Sequence, residues 1–126
     1  MAVSVVLVDD DAVVLASSRR LLVAAGYAVR EAEGGGQALR QITAQPPDIL
    51  ITDILMPEGD GIELISAVRR QFPDVRIIAV TERRRLGDLD LLELALKLGA
   101  DVAMDKPVEA KRLLANITAL IDPGMV

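Results

Sequence analysis

Four apolar segments of this chain each lead into polar residues that could do chemistry. The segments and the residues that follow them are 5–8 with Asp9, Asp10 and Asp11, 49–52 with Asp53, 77–80 with Thr81, and 102–104 with Lys106 shortly afterwards. Short apolar runs are typical of buried strands in a parallel sheet, and open α/β sheets hold their active sites at the carboxyl ends of the strands. If these strands are neighbours, carboxylates, a hydroxyl and an ammonium meet at one edge. That set of groups indicates phosphoryl transfer.

The chemistry of such a site can be assigned to individual side chains. A carboxylate that attacks a phosphoryl dianion meets like-charge repulsion, which a hard divalent cation with oxygen ligands reduces. Mg²⁺ takes one or two carboxylates besides phosphate oxygens and waters, so Asp10 and Asp53 suit it directly and Asp9 suits its outer sphere. Lys106 would offset charge on the side opposite the metal, and the Thr81 hydroxyl would donate to one phosphoryl oxygen. An acyl phosphate would then form on Asp53.

Composition limits the other classes of function. The chain has no histidine, which excludes imidazole catalysis and imidazole zinc sites, and no cysteine, which suits a reducing cytoplasm. The net charge is −5, aromatic residues make up 2%, and residues 83–85 form the one arginine cluster, so we expect no nucleic-acid binding. The first apolar stretch is too short for a secretory signal and lacks a basic flank. We expect a soluble cytoplasmic protein without membrane contact.

Strand-like and helix-like segments alternate along the chain. The predicted strands are residues 3–8, 27–30, 49–52, 75–80 and 100–104. The predicted helices are residues 12–25, about 34–44, 61–71, 88–98, and a last one that follows Lys106-Pro107 and ends at Pro123-Gly124. Five strands alternating with five helices predict an α/β fold with right-handed crossovers and a doubly wound parallel sheet. We expect one domain over residues 1–126, with residues 121–126 as a tail.

Several of these segments resemble the response-regulator receiver family. The resemblance rests on residues 5–11 (Val-Val-Leu-Val-Asp-Asp-Asp), residues 53–57 (Asp-Ile-Leu-Met-Pro), Thr81, and Gly99-Ala100 leading to Lys106-Pro107. It covers essentially the whole chain, and the motifs occur in order at the predicted strand ends. It implies a flavodoxin-like (βα)5 fold with five parallel strands in the order 2-1-3-4-5, as in the chemotaxis receiver.

The resemblance also implies a role for each matched residue. Asp53 would accept a phosphoryl group from the phosphohistidine of a histidine kinase or a histidine phosphotransfer protein. Asp9, Asp10 and the backbone carbonyl of Leu55 would hold Mg²⁺ together with Asp53. The side chains that would contact the phosphoryl oxygens are those of Thr81 and Lys106.

A receiver of this kind would be a signalling switch. Its only catalysis would be labelling of itself from small phosphodonors and autodephosphorylation. The printed sequence has no output segment after Val126, so we expect the signal to reach a downstream protein by direct contact or by phosphoryl relay.

Two alternative interpretations use the same residues. Residues 9–13 also fit the Asp-x-Asp-x-Val motif of haloacid-dehalogenase-like phosphatases, with Asp9 as nucleophile and Asp11 as general acid, although the chain is short for that family. The second alternative is a pseudo-receiver that binds partners without being phosphorylated. Separately, Asp10 or Asp11 could serve as the N-cap of the first helix.

Two positions depart from the receiver pattern. Glu82 stands after Thr81, where a small residue usually leaves an open path to the phosphoryl group, so we expect it to slow anionic phosphodonors. Ala103 stands where receivers typically carry a tyrosine or phenylalanine whose inward swing accompanies phosphorylation. Without that ring, displacement of Thr81 and rearrangement of the segment after it remain available for switching.

The segment between Thr81 and Gly99 is longer than is typical of receivers and rich in leucine. On the predicted 88–98 helix, one side carries Leu91, Leu94, Ala95 and Leu98, and another side carries Leu89, Leu92 and Leu96. The first side can cover the sheet. The second predicts a face for a partner or a homodimer through the Asp88-Leu98 helix, unless the loop around Leu86 folds back over it.

Overall fold

A five-stranded parallel sheet lies at the centre of the computed structural model, which describes residues 2–57 and 61–122. The strands are β1 (Ser4–Val8), β2 (Ala28–Ala32), β3 (Ile49–Asp53), β4 (Arg76–Thr81), β5 (Arg85–Leu86), β6 (Leu89–Asp90) and β7 (Val102–Asp105). The helices are α1 (Ala12–Ala24), α2 (Gly35–Ala44), α3 (Gly61–Gln71), α4 (Leu91–Leu98) and α5 (Ala110–Ile121). The sheet order is β2-β1-β3-β4-β7. Counted along the chain, that is the predicted order 2-1-3-4-5, which is confirmed.

The sheet is covered on both faces, as expected for a doubly wound fold. Every residue of β3 is buried, which explains why this strand reads as an unbroken apolar run rather than an alternating one. On one face, Leu50 and Ile77 pack with apolar residues of α2, α3 and α4. On the other face, Ile51 and Ile78 pack with residues of α1 and α5. Because side chains alternate between the two faces of each strand, every strand contributes residues to two separate cores.

Most predicted boundaries agree with the structure to within a few residues. The last strand begins at Val102 rather than residue 100, and the second strand runs to Ala32 rather than residue 30. Ile121, which was assigned to the tail, is the last residue of α5. The predicted helix end at Pro123-Gly124 lies outside the described residues.

The predicted start of the fourth helix is wrong. Residues 85–90 form the antiparallel hairpin of β5 and β6, in which Leu86 pairs with Leu89, and α4 begins only at Leu91. Gly87 makes this tight turn possible with a φ of +61°, a conformation that other residues rarely adopt. The Asp90 carboxylate then accepts hydrogen bonds from the backbone N–H groups of Leu92 and Glu93 and caps the helix. The cap fixes the helix start three residues after the position predicted from the leucine pattern.

The hairpin changes the predicted apolar face. Leu89 lies on β6 rather than on a helix, and Leu92 packs partly against the core. Leu86, Leu89 and Leu96 are 47%, 44% and 47% exposed, so the hairpin leaves Leu96 uncovered and its own two leucines face solvent. Across the described residues, no helix combines the length and apolar character that a membrane crossing requires.

Candidate functional site

Parallel pairing brings the predicted residues to one edge of the sheet. Asp53 ends β3 opposite Val80, and Thr81 ends β4 opposite Asp105. Backbone hydrogen bonds continue past the strand ends, from Ile54 N–H to the Val80 carbonyl at 2.9 Å and from Lys106 N–H to the Thr81 carbonyl at 2.8 Å. These bonds hold the backbone of Ile54 and Lys106 in register with β4 and so fix the position of the adjoining side chains.

An ammonium lies between two buried carboxylates. Lys106 Nζ is 2.6 Å from Asp9 Oδ2 and 3.3 Å from Asp53 Oδ2. The Asp9 and Asp53 side chains are nearly inaccessible to solvent, at 2% and 6% exposure for the two residues. The three predicted residues are thus in direct contact.

A third carboxylate completes a candidate metal site. One oxygen from each of Asp9, Asp10 and Asp53 lies within 4.8 Å of the others, and Asp10 is exposed. Hard oxygen donors around one point fit Mg²⁺. Asp9 already uses Oδ2 for Lys106 and Oδ1 for the backbone N–H of Asp11, at 2.9 Å. Asp10 and Asp53 are therefore the better direct ligands, and Asp9 fits an outer-sphere position.

The electrostatics of this cluster favour an added cation. Burial raises the pKa of the Asp53 carboxyl from 3.8 to about 6; Lys106 opposes the rise, while Asp9 and Asp10 add to it. Burial acts to lower the pKa of Lys106, but the hydrogen bond to Asp9 and the charges of Asp53 and Asp9 outweigh it, so that pKa is raised. One ammonium thus faces three carboxylates, which leaves net negative charge at the site.

Asp11 has a structural role. Its carboxylate Oδ1 accepts hydrogen bonds from the backbone N–H groups of Val13 at 2.9 Å and Val14 at 3.4 Å, which makes it the N-cap of α1. Of the two candidates for this cap, the structure selects Asp11 and leaves Asp10 at the carboxylate cluster. An Asp11 committed to the helix start is poorly placed to act as a general acid.

Thr81 is at the site, but its hydroxyl has local partners. Oγ1 donates to the carbonyl of Arg83 at 3.0 Å and accepts from the backbone N–H of Arg83 at 3.1 Å. This turn is not predicted above, although threonine hydroxyls often bond to the backbone two residues further along the chain. To donate to a phosphoryl oxygen, the Thr81 hydroxyl must release the Arg83 carbonyl.

A cavity of about 270 Å³ opens over the Asp53 carboxylate. Its lining comprises Asp9, Asp10, Asp11, Asp53, Leu55, Thr81, Glu82 and Arg83. Leu55 therefore lies at the same cavity as the three carboxylates. Glu82 also lies at the cavity and forms no ion pair with any residue in the described parts of the chain.

Gly61 was overlooked as a residue that shapes the site. It begins α3, and its N–H donates to the Ile54 carbonyl at 3.1 Å. A Cβ at this position would overlap the Asp53 carbonyl oxygen and approach the Ile54 Cα to 2.8 Å. The glycine lets α3 start directly against the segment that follows Asp53. The signal for it in the sequence is the second of the two glycines that follow residues 53–57.

Comparison with known proteins agrees with this geometry. Residues 5–118 match the model of the response regulator receiver domain. The chain is 36% identical over 121 residues to response regulator MprA of Mycobacterium ulcerans and 37% identical over 117 residues to transcriptional regulatory protein PrrA of Mycobacterium bovis. These matches cover 96% and 93% of this chain but 51% and 49% of the relatives, so the chain spans about half of their length.

Solved structures show the same fold. A CheY-like receiver domain protein from Methanospirillum hungatei superimposes with a TM-score of 0.90 at 29% identity, covering 98% of this chain and 96% of that one. A putative response regulator from Chloroflexus aurantiacus gives a TM-score of 0.87 at 32% identity over 96% and 98% of the two chains. These matches do not favour the phosphatase-like alternative. The chain belongs to the response-regulator receiver family of two-component signalling.

Proposed function

We propose that this chain is phosphorylated on Asp53 in a Mg²⁺-dependent reaction, with the phosphohistidine of a histidine kinase or histidine phosphotransfer protein as donor. The observation that supports it most is the position of the Asp53 carboxylate. It ends a fully buried strand, lies 3.3 Å from an ammonium, and has two further carboxylates within 4.8 Å. A carboxylate beside a cluster of oxygen donors and an ammonium fits phosphoryl transfer, in which cations neutralise the charge of the transferred group.

The proposed transfer conserves atoms and charge in a simple way. An Asp53 oxygen forms a bond to phosphorus as the phosphorus–nitrogen bond of the donor breaks, and the imidazole leaves with its electron pair and takes up a proton. Asp53 then carries an acyl phosphate. Asp10 and Asp53, with the Leu55 carbonyl and an outer-sphere Asp9, would hold Mg²⁺, and the bound ion would reduce the repulsion between carboxylate and phosphoryl group.

Lys106 and Thr81 would recognise the transferred group. The Lys106 ammonium already contacts Asp53, so it needs only a small shift to reach a phosphoryl oxygen on the same carboxylate. Thr81 would exchange its hydrogen bond to the Arg83 carbonyl for one to the phosphoryl group. Because β5 begins two residues after Arg83, that exchange would transmit the modification to the hairpin and α4.

The output of the proposed switch is a protein contact. The exposed leucines of the hairpin and α4 form a surface suited to a downstream protein or to a second copy of the chain. The proposal also includes a single domain over residues 1–126, cytoplasmic location, and no activity beyond labelling itself from small donors and losing the phosphoryl group.

The predicted dimer is tested by sedimentation of the Leu96→Glu variant, which should be monomeric. Leu96 is chosen rather than Leu92 because Leu96 is exposed, whereas Leu92 packs against the core and its replacement would also disturb the fold. A wild type that stays monomeric at high concentration, with and without phosphoryl analogue, contradicts the dimer.

Beryllofluoride binding tests the proposed function without a donor protein. Fluorine NMR should show one bound species that requires both Mg²⁺ and the Asp53 carboxylate. Asp53→Asn and Asp10→Asn should lose it, whereas Asp74→Asn, which removes the same charge from an exposed turn, should keep it. Failure of the wild type to bind the analogue in Mg²⁺ would contradict the proposal.

A further inference from the structure

A second cavity of about 340 Å³ lies beside the acceptor site, on the face of the sheet that α1 and α5 cover. Leu7, Ile51 and Val80, one from each of three neighbouring strands, form its floor. Val14 and Ser18 of α1 and Leu113 of α5 also line it, and the lining as a whole is mostly apolar. This cavity is separate from the 270 Å³ cavity over Asp53, although the two adjoin at Asp9 and Glu82.

The sequence explains why this space is not filled. Val14 and Ser18 are short side chains, and α5 begins only at Ala110, after the connection that carries Lys106. The chain has one phenylalanine and one tyrosine, and neither lines the cavity. An apolar cavity holds water poorly and takes up apolar molecules, and a volume of a few hundred Å³ is typical of small-molecule sites.

The lining of this cavity carries excess negative charge. Asp9, Glu82 and Lys106 contribute the ionic groups of its lining. The Lys106 ammonium is already bound to both Asp9 and Asp53. Glu82 is exposed and has no ion-pair partner in the parts of the chain that the structure describes. A ligand whose head group is cationic therefore meets an uncompensated carboxylate, whereas an anionic head group meets repulsion.

We propose that this cavity binds a small amphipathic amine. An aromatic or aliphatic body would lie against Leu7, Ile51 and Val80, and an ammonium group would pair with Glu82. This site goes beyond phosphorylation of the receiver, because binding requires neither a phosphodonor nor a reaction at Asp53. Lys106 and Asp9 line the cavity and also contact the acceptor site, so occupancy of either site would alter affinity at the other.

A pair of matched probes tests the proposal on the intact chain. 2-Phenylethylamine and phenylacetate have similar aromatic bodies and opposite charges. In Mg²⁺-free buffer, heteronuclear NMR titration should give a dissociation constant for the amine that is lower by about tenfold or more. The shifted resonances should include those of Leu7, Val14 and Val80. Neither probe can phosphorylate the chain, so failure here would be distinct from failure of the proposed function.

Two variants test separately the binding of the probe's apolar body and the binding of its charged head group. Ser18→Leu fills the cavity and should abolish binding of both probes, while Glu82→Gln should remove most of the preference for the amine. Glu93→Gln, an exposed change on α4, should leave both affinities unchanged. Equal affinity for the two probes, no binding of either, or amine binding that survives both Ser18→Leu and Glu82→Gln would overturn the proposal. If Ser18→Leu fails to fold, the Glu82→Gln comparison still decides it.

Discussion

Replacing Asp53 by asparagine should stabilise the metal-free protein even though it removes the proposed acceptor. The side chain is 6% exposed, and its carboxylate shares one ammonium with Asp9 while Asp10 lies nearby. A residue selected for chemistry of this kind costs stability, because its charge is desolvated and faces other carboxylates. Asparagine is similar in shape and carries no charge.

The magnitude follows from the pKa of the Asp53 carboxyl, about 6 in the folded chain against 3.8 for an unperturbed group. Each pKa unit corresponds to about 1.4 kcal/mol, so ionised Asp53 lowers the free energy of unfolding by up to about 3 kcal/mol. The folded state binds the proton more tightly, so this cost is complete above pH 7 and disappears as the pH falls below 3.8. The pKa of about 6 already includes the favourable contact with Lys106, so replacing the ionised carboxylate by a neutral amide should raise the free energy of unfolding by about 1–3 kcal/mol.

Urea unfolding in Mg²⁺-free buffer at pH 8 and pH 5 measures this effect. Asp53→Asn should raise the free energy of unfolding at pH 8, and the gain should shrink to about half at pH 5. Asp74→Asn, an exposed change of the same charge, should alter it by less than about 0.5 kcal/mol at both pH values. Saturating Mg²⁺ should stabilise the wild type more than the Asp53→Asn variant. A variant that is less stable than the wild type at pH 8, or a gain that grows as the pH falls, would refute this reasoning.

Three further substitutions test other parts of the site and its surroundings. Glu82→Ala should increase severalfold the rate of labelling by a small anionic phosphodonor, with a smaller increase at high salt, and an unchanged rate would contradict a gating role. Gly61→Ala should lower the free energy of unfolding by about 1–3 kcal/mol, because its Cβ overlaps the Asp53 carbonyl; a neutral effect in urea unfolding would show that α3 adapts freely. Asp90→Ala should cost about 1–2 kcal/mol through loss of the α4 cap, whereas Asp88→Ala should cost little, and equal effects would argue against the cap.

The sequence predicts the sheet well because its signals are local and repeated. The buried runs that become β1, β3 and β4 are continuous and apolar, and each ends at a polar residue that the parallel register places at the same edge. The contact of Lys106 with Asp9 and Asp53 follows from that register. The order of the strands came from the resemblance to receivers, since alternating strands and helices do not by themselves specify it.

The sequence predicts the region after β4 less well because its geometry depends on competing local bonds. Asp88 and Asp90 both resemble helix caps, and the leucine pattern continues through both. The choice of Asp90 is reinforced by Arg84, whose Nε lies 3.3 Å from the Asp90 carboxylate across the hairpin. Hydrogen bonds from the Glu93 backbone, helped by Arg84, lower the pKa of Asp90. The pairing of Arg84 with Asp90 depends on the turn at Gly87, so it cannot be predicted before that turn is known.

Contacts between residues far apart in the chain also leave no signal in the sequence. Arg69 donates to the carbonyls of Gly99 and Val75, each at 2.9 Å, and to the Asp101 carboxylate at 2.8 Å. This residue links the end of α3 to the connection between α4 and β7. In the sequence, Arg69 is one arginine on the polar side of a helix. The periodicity of that segment does not distinguish an arginine that forms these contacts from one that is exposed to solvent.

Intact-mass spectrometry after incubation with Mg²⁺ and a small phosphodonor tests the central claim most directly. The wild type should gain the mass of one phosphoryl group, the gain should require Mg²⁺, and Asp53→Asn should gain none. A phosphorylated histidine kinase as donor should give the same product. No added mass from either donor, with beryllofluoride also failing to bind, would contradict phosphorylation of Asp53 and favour an interaction module that works without it.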